Sequence, residues 1–142
     1  MADTAIKDEE EKKEYFDSPQ ELDRKVDKVA MWILEANHFT AFTGAGISTA
    51  AGIPDYRSGA NTVLPTGAGC WEKAANISKA RKEGTLKHQP ATKATLRTTL
   101  SRAFPSRCHM AMVALMQKNL LKFVMSQNVD GLHRKSGIPS YQ

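Results

Sequence analysis

The chain has 142 residues, 41% of them hydrophobic, and a formal net charge of +5. That length holds one domain at most. No apolar run approaches the ~20 residues of a membrane-spanning helix, and Met1–Glu10 lacks the apolar segment of a secretory signal; the reading is a protein that is neither secreted nor inserted in a membrane. Charge is uneven: residues 1–21 hold eight acids and three bases, and the remainder seventeen bases and seven acids. Cys70 and Cys108 form no C-x-x-C and make neither a disulfide framework nor a metal site on their own.

Residues 1–17 are charged and aperiodic, and are expected to form a disordered leader. Residues 18–142 are expected to fold. Ser18, Pro19 and Glu21 predict a helix start with a capping box. Leu22, Val26, Val29 and Ile33 follow at the spacing of a buried stripe, with Met31 and Trp32 as packing residues. Asn37 is the expected stop.

His38–Thr43 predicts a strand, and His38 reads as an ordinary surface or capping residue. The strand runs into Gly44-Ala45-Gly46, where two glycines permit a tight turn with no Cβ in the way. Ser48–Ala51 predicts a short helix ended by Gly52 and Pro54. Free N–H groups at such a helix start can face an anion, which makes the turn a candidate diphosphate cradle. Asp55, Tyr56 and Arg57 add an acid, an aromatic ring and a fixed cation beside it.

Ser58–Trp71 is spaced by Gly and Pro and reads as a loop, and Glu72–Glu83 as a weak helix. Residues 79–107 carry Lys79, Arg81, Lys82, Lys87, Lys93, Arg97, Arg102 and Arg107 against one acid, Glu83. Such a run usually means a solvated surface; a chromatin or nucleic-acid contact is the alternative. His88 lies in this run with no evident partner. Pro105 and Ser106 open a helix over Arg107–Lys118, with Met110, Val113, Ala114 and Gln117 as one face, Met112, Leu115 and Met116 beside it, the methionines read as core, and Asn119 as its stop. Leu120–Ser126 reads as a buried strand. In an open parallel α/β sheet, ligands bind past the C-terminal ends of the strands. That rule brings Gln127-Asn128-Val129-Asp130 to the glycine turn.

An ordinary dinucleotide dehydrogenase does not fit. Its G-x-G-x-x-G fingerprint fails at Thr49, no acid stands near residues 63–69, and no second strand arrives within ~30 residues.

Thr43–Gly59 and Ser126-Gln-Asn-Val-Asp-Gly-Leu-His133 together resemble the sirtuin family of NAD-dependent protein deacylases, over roughly Leu22 to Gly137. The resemblance implies a partial Rossmann-like, doubly wound parallel sheet. It implies that NAD is a co-substrate: nicotinamide leaves, and the acyl group of a modified lysine passes to ADP-ribose. By this resemblance Gly44, Ala45 and Gly46 cradle the diphosphate, with Ser48 and Thr49 adding hydroxyl contacts. Ile53, Asp55, Asn128, Val129 and Asp130 match the nicotinamide pocket, with Asp130 as partner of the carboxamide. Tyr56 stands where the family has Phe over the ribose, Arg57 holds the loop and a ribose or phosphate oxygen, and Gln127 binds a ribose hydroxyl. Taken singly, the residues have plainer readings: Gly44 and Gly46 as a turn, Asp55 as a cap, Arg57 as its ion-pair partner, Gln127 and Asn128 as buried network residues.

The family's general base is a histidine in a later H-G pair, expected beyond Gln142, so His133 is not that base; His109 matches a structural helix histidine. Zinc is expected for the full family domain, but its four-cysteine ligands do not occur here. These absences imply an N-terminal half of a catalytic domain, inactive alone. The wording of both motifs is nearest the nuclear, chromatin-associated branch, which implies a nuclear location, with a cytoplasmic one also open, and acylated lysines of proteins such as histones as partners. The stretch Arg57–Gly67 departs from that branch's shorter loop and leaves acyl preference open. Rival readings are a non-catalytic chromatin- or protein-binding fragment, and a mono-ADP-ribosyltransferase.

Overall fold

The computed structural model describes residues 15–59, 61–85 and 101–139. The charged leader, except its last three residues, and Lys87, His88, Lys93 and Arg97 lie outside the described residues. Two compact units are present, Met1–Glu35 and Ala36–Gln142.

The first unit is helix α1, Pro19–Glu35. Ser18 caps it as the sequence predicts: its Oγ accepts from the Glu21 N–H at 3.3 Å. The other arm of the expected box is redirected. The Glu21 carboxylate takes two bonds from Arg24, at 2.9 and 2.7 Å, instead of reaching back to Ser18. The expectation of a buried stripe is not met. Leu22, Val26 and Val29 are 53%, 56% and 48% exposed, and Met31 and Trp32 are exposed as well. Among the described residues of this unit α1 stands alone, with no second layer to bury a stripe against.

The second unit is built on two parallel strands, β1 (Phe39–Thr43) and β2 (Leu121–Ser126), paired from Phe39↔Leu121 to Thr43↔Ser126. Each begins one residue later than expected. Between them lie α2 (Gly46–Thr49), α3 (Cys70–Lys82) and α4 (Arg107–Gln117), and α5 (Leu132–Ser136) follows β2. A parallel pair needs a long crossover because the chain must return to the same end of the sheet. The helix after the glycine turn starts at Gly46, two residues before the expected Ser48. α3 starts at Cys70, inside the stretch read as loop.

Ser106 caps α4, and the cap carries a device hidden from sequence rules. Ser106 Oγ accepts from the His109 N–H at 3.5 Å, while the Ser106 N–H donates to His109 Nδ1 at 3.2 Å. This is a capping box with His in place of Glu. It turns His109 inward and sets the rotation of the helix. The buried face is therefore His109 and Met112, with Val113 and Met116 packed on the core. The expected face through Met110, Ala114 and Gln117 is wrong; Met110 is 48% exposed. Asn119 ends α4 as expected, in the left-handed region at φ 58°, and the Leu120 N–H closes onto the Leu115 carbonyl at 2.9 Å.

Met112, Leu121 and Ile138 form the core, with Phe39, Ala41, Ile47 and Val124 against them. Fully burying one such side chain stabilises by about 1.5–3 kcal/mol, so this small cluster carries much of the fold. It also joins α4, both strands and the segment after α5, and so holds the two strand ends together.

Candidate functional site

The two motifs meet past the C-terminal ends of the strands. Because Thr43 pairs with Ser126, the turn after β1 and the turn after β2 leave side by side. The Gln127 N–H donates to the Thr43 carbonyl at 3.2 Å. Asn128 Nδ2 donates to the Gly44 carbonyl at 2.9 Å and to Ser48 Oγ at 3.4 Å. Ser48 Oγ donates to Asp130 Oδ2 at 2.6 Å, and Asp130 Oδ1 accepts from the Leu132 N–H at 2.9 Å. Residues more than eighty positions apart are thus stitched into one polar network at the sheet edge.

Beside this network lies a cleft of about 560 Å³, lined by Ala45, Gly46, Asp55, Tyr56, Arg57, Trp71, Gln127 and Asn128. Seven of these eight were singled out from the sequence. The lining is mixed in the way a nucleotide requires: backbone at a tight turn, two aromatic rings, a guanidinium and two amides. Gly44 lies just behind it. A Cβ there would stand 2.7 Å from Gln127 Nε2, so the bare glycine lets the Gln127 amide lie across the turn.

Other expected site residues are placed differently. Ser48 and Thr49 are 1% and 7% exposed. Their hydroxyls are committed inside the chain, Ser48 to Asp130 and Thr49 to the Gly46 carbonyl at 2.9 Å. α2 is one short turn, and both hydroxyls brace it from within. Ile53 is half-buried, its N–H on the Ser48 carbonyl at 3.2 Å. Val129 is 89% exposed and stands outside the cleft lining. Asp130 lines a second hollow of about 320 Å³ with Asn128, Ser126, His133 and Arg134.

Asp55 closes its own turn. Its Oδ1 accepts from the Ser58 N–H at 3.1 Å and its Oδ2 from Ser58 Oγ at 2.5 Å, so the plainer reading of Asp55 as a cap holds. Arg57 is not its ion-pair partner; the guanidinium sits 5.4 Å from the Trp71 ring centroid. Tyr56 meets the same ring at 5.8 Å. Trp71 was missed from sequence, because a lone aromatic after a glycine-rich stretch carries no signal of which wall it joins.

Behind the cleft, His133 Nε2 lies 2.8 Å from Thr43 Oγ1. His109 packs against His133 and is fully buried. Burial holds both imidazoles below their ordinary range; at His109 the neighbouring His133 adds to this, and Asp130 opposes it at both. His133 is thus held as a neutral imidazole bonded to the β1 end.

The sequence model of the Sir2 family matches residues 44–141. The chain belongs to the Sir2 family. The match takes in the first motif from Gly44 on, all of the second, and α3 and α4 between them. Among relatives, NAD-dependent protein deacetylase SRT1 of Arabidopsis thaliana is 44% identical over 126 residues, 89% of this chain and 22% of that protein. NAD-dependent protein deacetylase sirtuin-7 of Bos taurus is 38% identical over 128 residues, 89% of this chain and 26% of its own length. The chain thus spans about a quarter of these Sir2 relatives. A solved Sir2 with a deacetylated p53 peptide and 3′-O-acetyl ADP ribose superposes with a TM-score of 0.54 at 26% identity, over 80% of this chain and 44% of that one. The fold is accordingly the Rossmann-like α/β fold of Sir2 proteins, represented here by its parallel pair β1 and β2.

Proposed function

We propose that this chain forms the nucleotide cleft of an NAD-dependent protein-lysine deacylase of the sirtuin type, which passes an acyl group from lysine to ADP-ribose and releases nicotinamide. The observation that supports it most directly is the single network joining Gly44, Ser48, Asn128 and Asp130 beside a cleft lined by Tyr56, Arg57 and Gln127. The names of SRT1 and sirtuin-7 as NAD-dependent deacetylases, and the acetyl ADP ribose in the solved Sir2 relative, point the same way.

NAD, when bound, supplies the ribose carbon that receives the acyl oxygen and the nicotinamide that leaves. The residues here divide the remaining work. The Gly44–Gly46 turn and Arg57 face the diphosphate and ribose. Asn128, fixed by Gly44 and Ser48, and Asp130, fixed by Ser48 and Leu132, order the nicotinamide side. Tyr56 and Trp71 wall the ribose face from water, which strengthens every polar contact inside. Zinc does not fit the residues seen: among the described residues no group of three or more His, Cys, Asp or Glu could hold a metal, and no step is assigned to it.

The substrate we propose is an acylated lysine of a protein, histones included. A nuclear location rests on the likeness to the nuclear branch. Lys79, Arg81 and Lys82, exposed in the last turn of α3, with Arg102 and Arg107 also exposed, are the described part of the basic run and suit an acidic or nucleic-acid partner.

The test has two arms. Calorimetry of this chain with NAD should show binding that Arg57→Ala and Asn128→Ala weaken. The complete gene product should release nicotinamide with an acetyl-lysine peptide. NAD consumption without deacylation by that product would replace the deacylase by the transferase reading. No NAD binding by either form would end the proposal.

A further inference from the structure

Gly69 sits at the far end of the loop that follows the cleft's Asp55–Ser58 turn, and it is the N-cap of α3. Its backbone, φ −66° and ψ 169°, is open to any residue. Its constraint is steric instead. A Cβ at Gly69 would lie 2.6 Å from the Tyr56 carbonyl carbon, 2.7 Å from the Tyr56 oxygen and 2.8 Å from the Arg57 nitrogen. All three are backbone atoms, which cannot swing aside as a side-chain tip can.

The close approach has a purpose visible in the hydrogen bonds. The first N–H groups of a helix have no partner within it. Here the Gly69 N–H donates to the Ser58 carbonyl at 2.7 Å, Cys70 to Asp55 at 2.8 Å and Trp71 to Tyr56 at 3.0 Å. The opening of α3 is thereby stitched along the 55–58 segment, carbonyl by carbonyl. The same stitch delivers Trp71 to the Tyr56 ring and the Arg57 guanidinium. Asp55, Tyr56, Arg57 and Trp71 all line the cleft.

We infer that Gly69 is a positioning residue for the nucleotide site: its missing side chain lets α3 clamp the Asp55–Ser58 segment, and so sets where Tyr56 and Arg57 stand. The inference rests on the NAD reading for its consequence, but its structural content stands apart from it. The loop between Ser58 and Gly69 can then vary in length without moving the cleft wall, because its two ends are tied together.

Gly59, at the other end of the loop, is the matched control, since a Cβ there meets nothing within 4 Å and its φ is unrestricted. The chain has two tryptophans, so a Trp32→Phe background leaves Trp71 as the reporter. In that background Gly69→Ala should shift the Trp71 emission and its near-ultraviolet circular dichroism, and weaken NAD binding about tenfold or more, as misplaced contact groups do. Gly59→Ala should change neither. Amide exchange on the unmodified chain covers the case in which Gly69→Ala does not fold. Gly69, Cys70 and Trp71 should be protected, although first-turn amides ordinarily exchange freely. Fast exchange at all three overturns the clamp, as does a folded Gly69→Ala with unaltered Trp71 spectra and NAD affinity. If neither the unmodified chain nor the complete gene product binds NAD, the nucleotide reading fails, and the Trp71 and exchange results decide the clamp by themselves.

Discussion

His109 and His133 stand ring against ring, with centroids 4.8 Å apart and planes tilted by 59°. His109 Nδ1 receives the Ser106 N–H, so its proton is on Nε2. Thr43 Oγ1 reaches both the Met125 carbonyl, at 3.4 Å, and His133 Nε2, at 2.8 Å. The two nitrogens left over, His109 Nε2 and His133 Nδ1, are both buried without a partner among the described residues.

Acid should therefore loosen this protein before its carboxylates titrate. Both imidazoles are held below their ordinary value, chiefly by burial, with Asp130 as the charged group opposing that. The folded chain then binds fewer protons than the unfolded one, so stability is full above about pH 6.5 and falls as pH drops below it toward the folded values. The urea midpoint should be flat near neutrality and decline as pH falls below about 6.5. His109→Asn with His133→Gln keeps the acceptor toward Ser106 and a hydrogen-bonding group toward Thr43 while removing both titrations. That double variant should flatten the profile; an equally steep one would rule the pair out as the cause.

Asp130 is expected to carry stability as well as binding. Its carboxylate accepts from the buried Ser48 hydroxyl and from the Leu132 N–H at the start of α5. Asp130→Ala leaves both donors without an acceptor and should cost roughly 1–3 kcal/mol. Asp130→Asn should cost less, since its amide oxygen can still accept one of the two bonds. Chemical denaturation of the two variants checks this ordering, and equal losses would refute it.

Gly44 and Gly69 should behave oppositely when given a methyl group. At Gly44 the obstacle is the Gln127 amide, the tip of an exposed side chain. Gly44→Ala should change stability by no more than about 0.5 kcal/mol, yet push Gln127 out of the cleft and weaken NAD binding. A large loss of stability would show that the turn backbone itself had been disturbed.

The outer face of the sheet is apolar and bare. Phe42, Phe123 and Met125 are 71%, 43% and 45% exposed. Thr40 pairs with Phe123 and Phe42 with Met125, so they share one face. A contiguous apolar patch of this kind promotes association. The chain should bind an apolar dye and form larger species as concentration rises. Phe42→Lys with Met125→Lys should reduce both, as read by sedimentation and dye fluorescence; unchanged sedimentation would place the sticky surface elsewhere.

Local chemistry was legible in the residues themselves. Ser18 and Ser106 caps, the Asn119 stop, the strands at 39–43 and 121–126, and the glycine turn each depend on neighbours within a few positions, where propensity and hydrogen-bonding rules act. So was the meeting of the glycine turn with the 127–130 segment, because parallel strands deliver their following turns to one edge. What the residues could not declare depends on contacts across the fold. The rotation of α4 followed from His109 being drawn under Ser106, and a helical pattern rich in methionine on several faces does not announce which one turns inward. The bond from Ser48 to Asp130, 82 residues away, is likewise decided only by the fold. Trp71 became a cleft wall only because α3 begins two residues early and leans on the Tyr56 carbonyl. A side chain's type sets what it can bond to, but in a packed chain the partner is whichever group the backbone brings within about 3 Å.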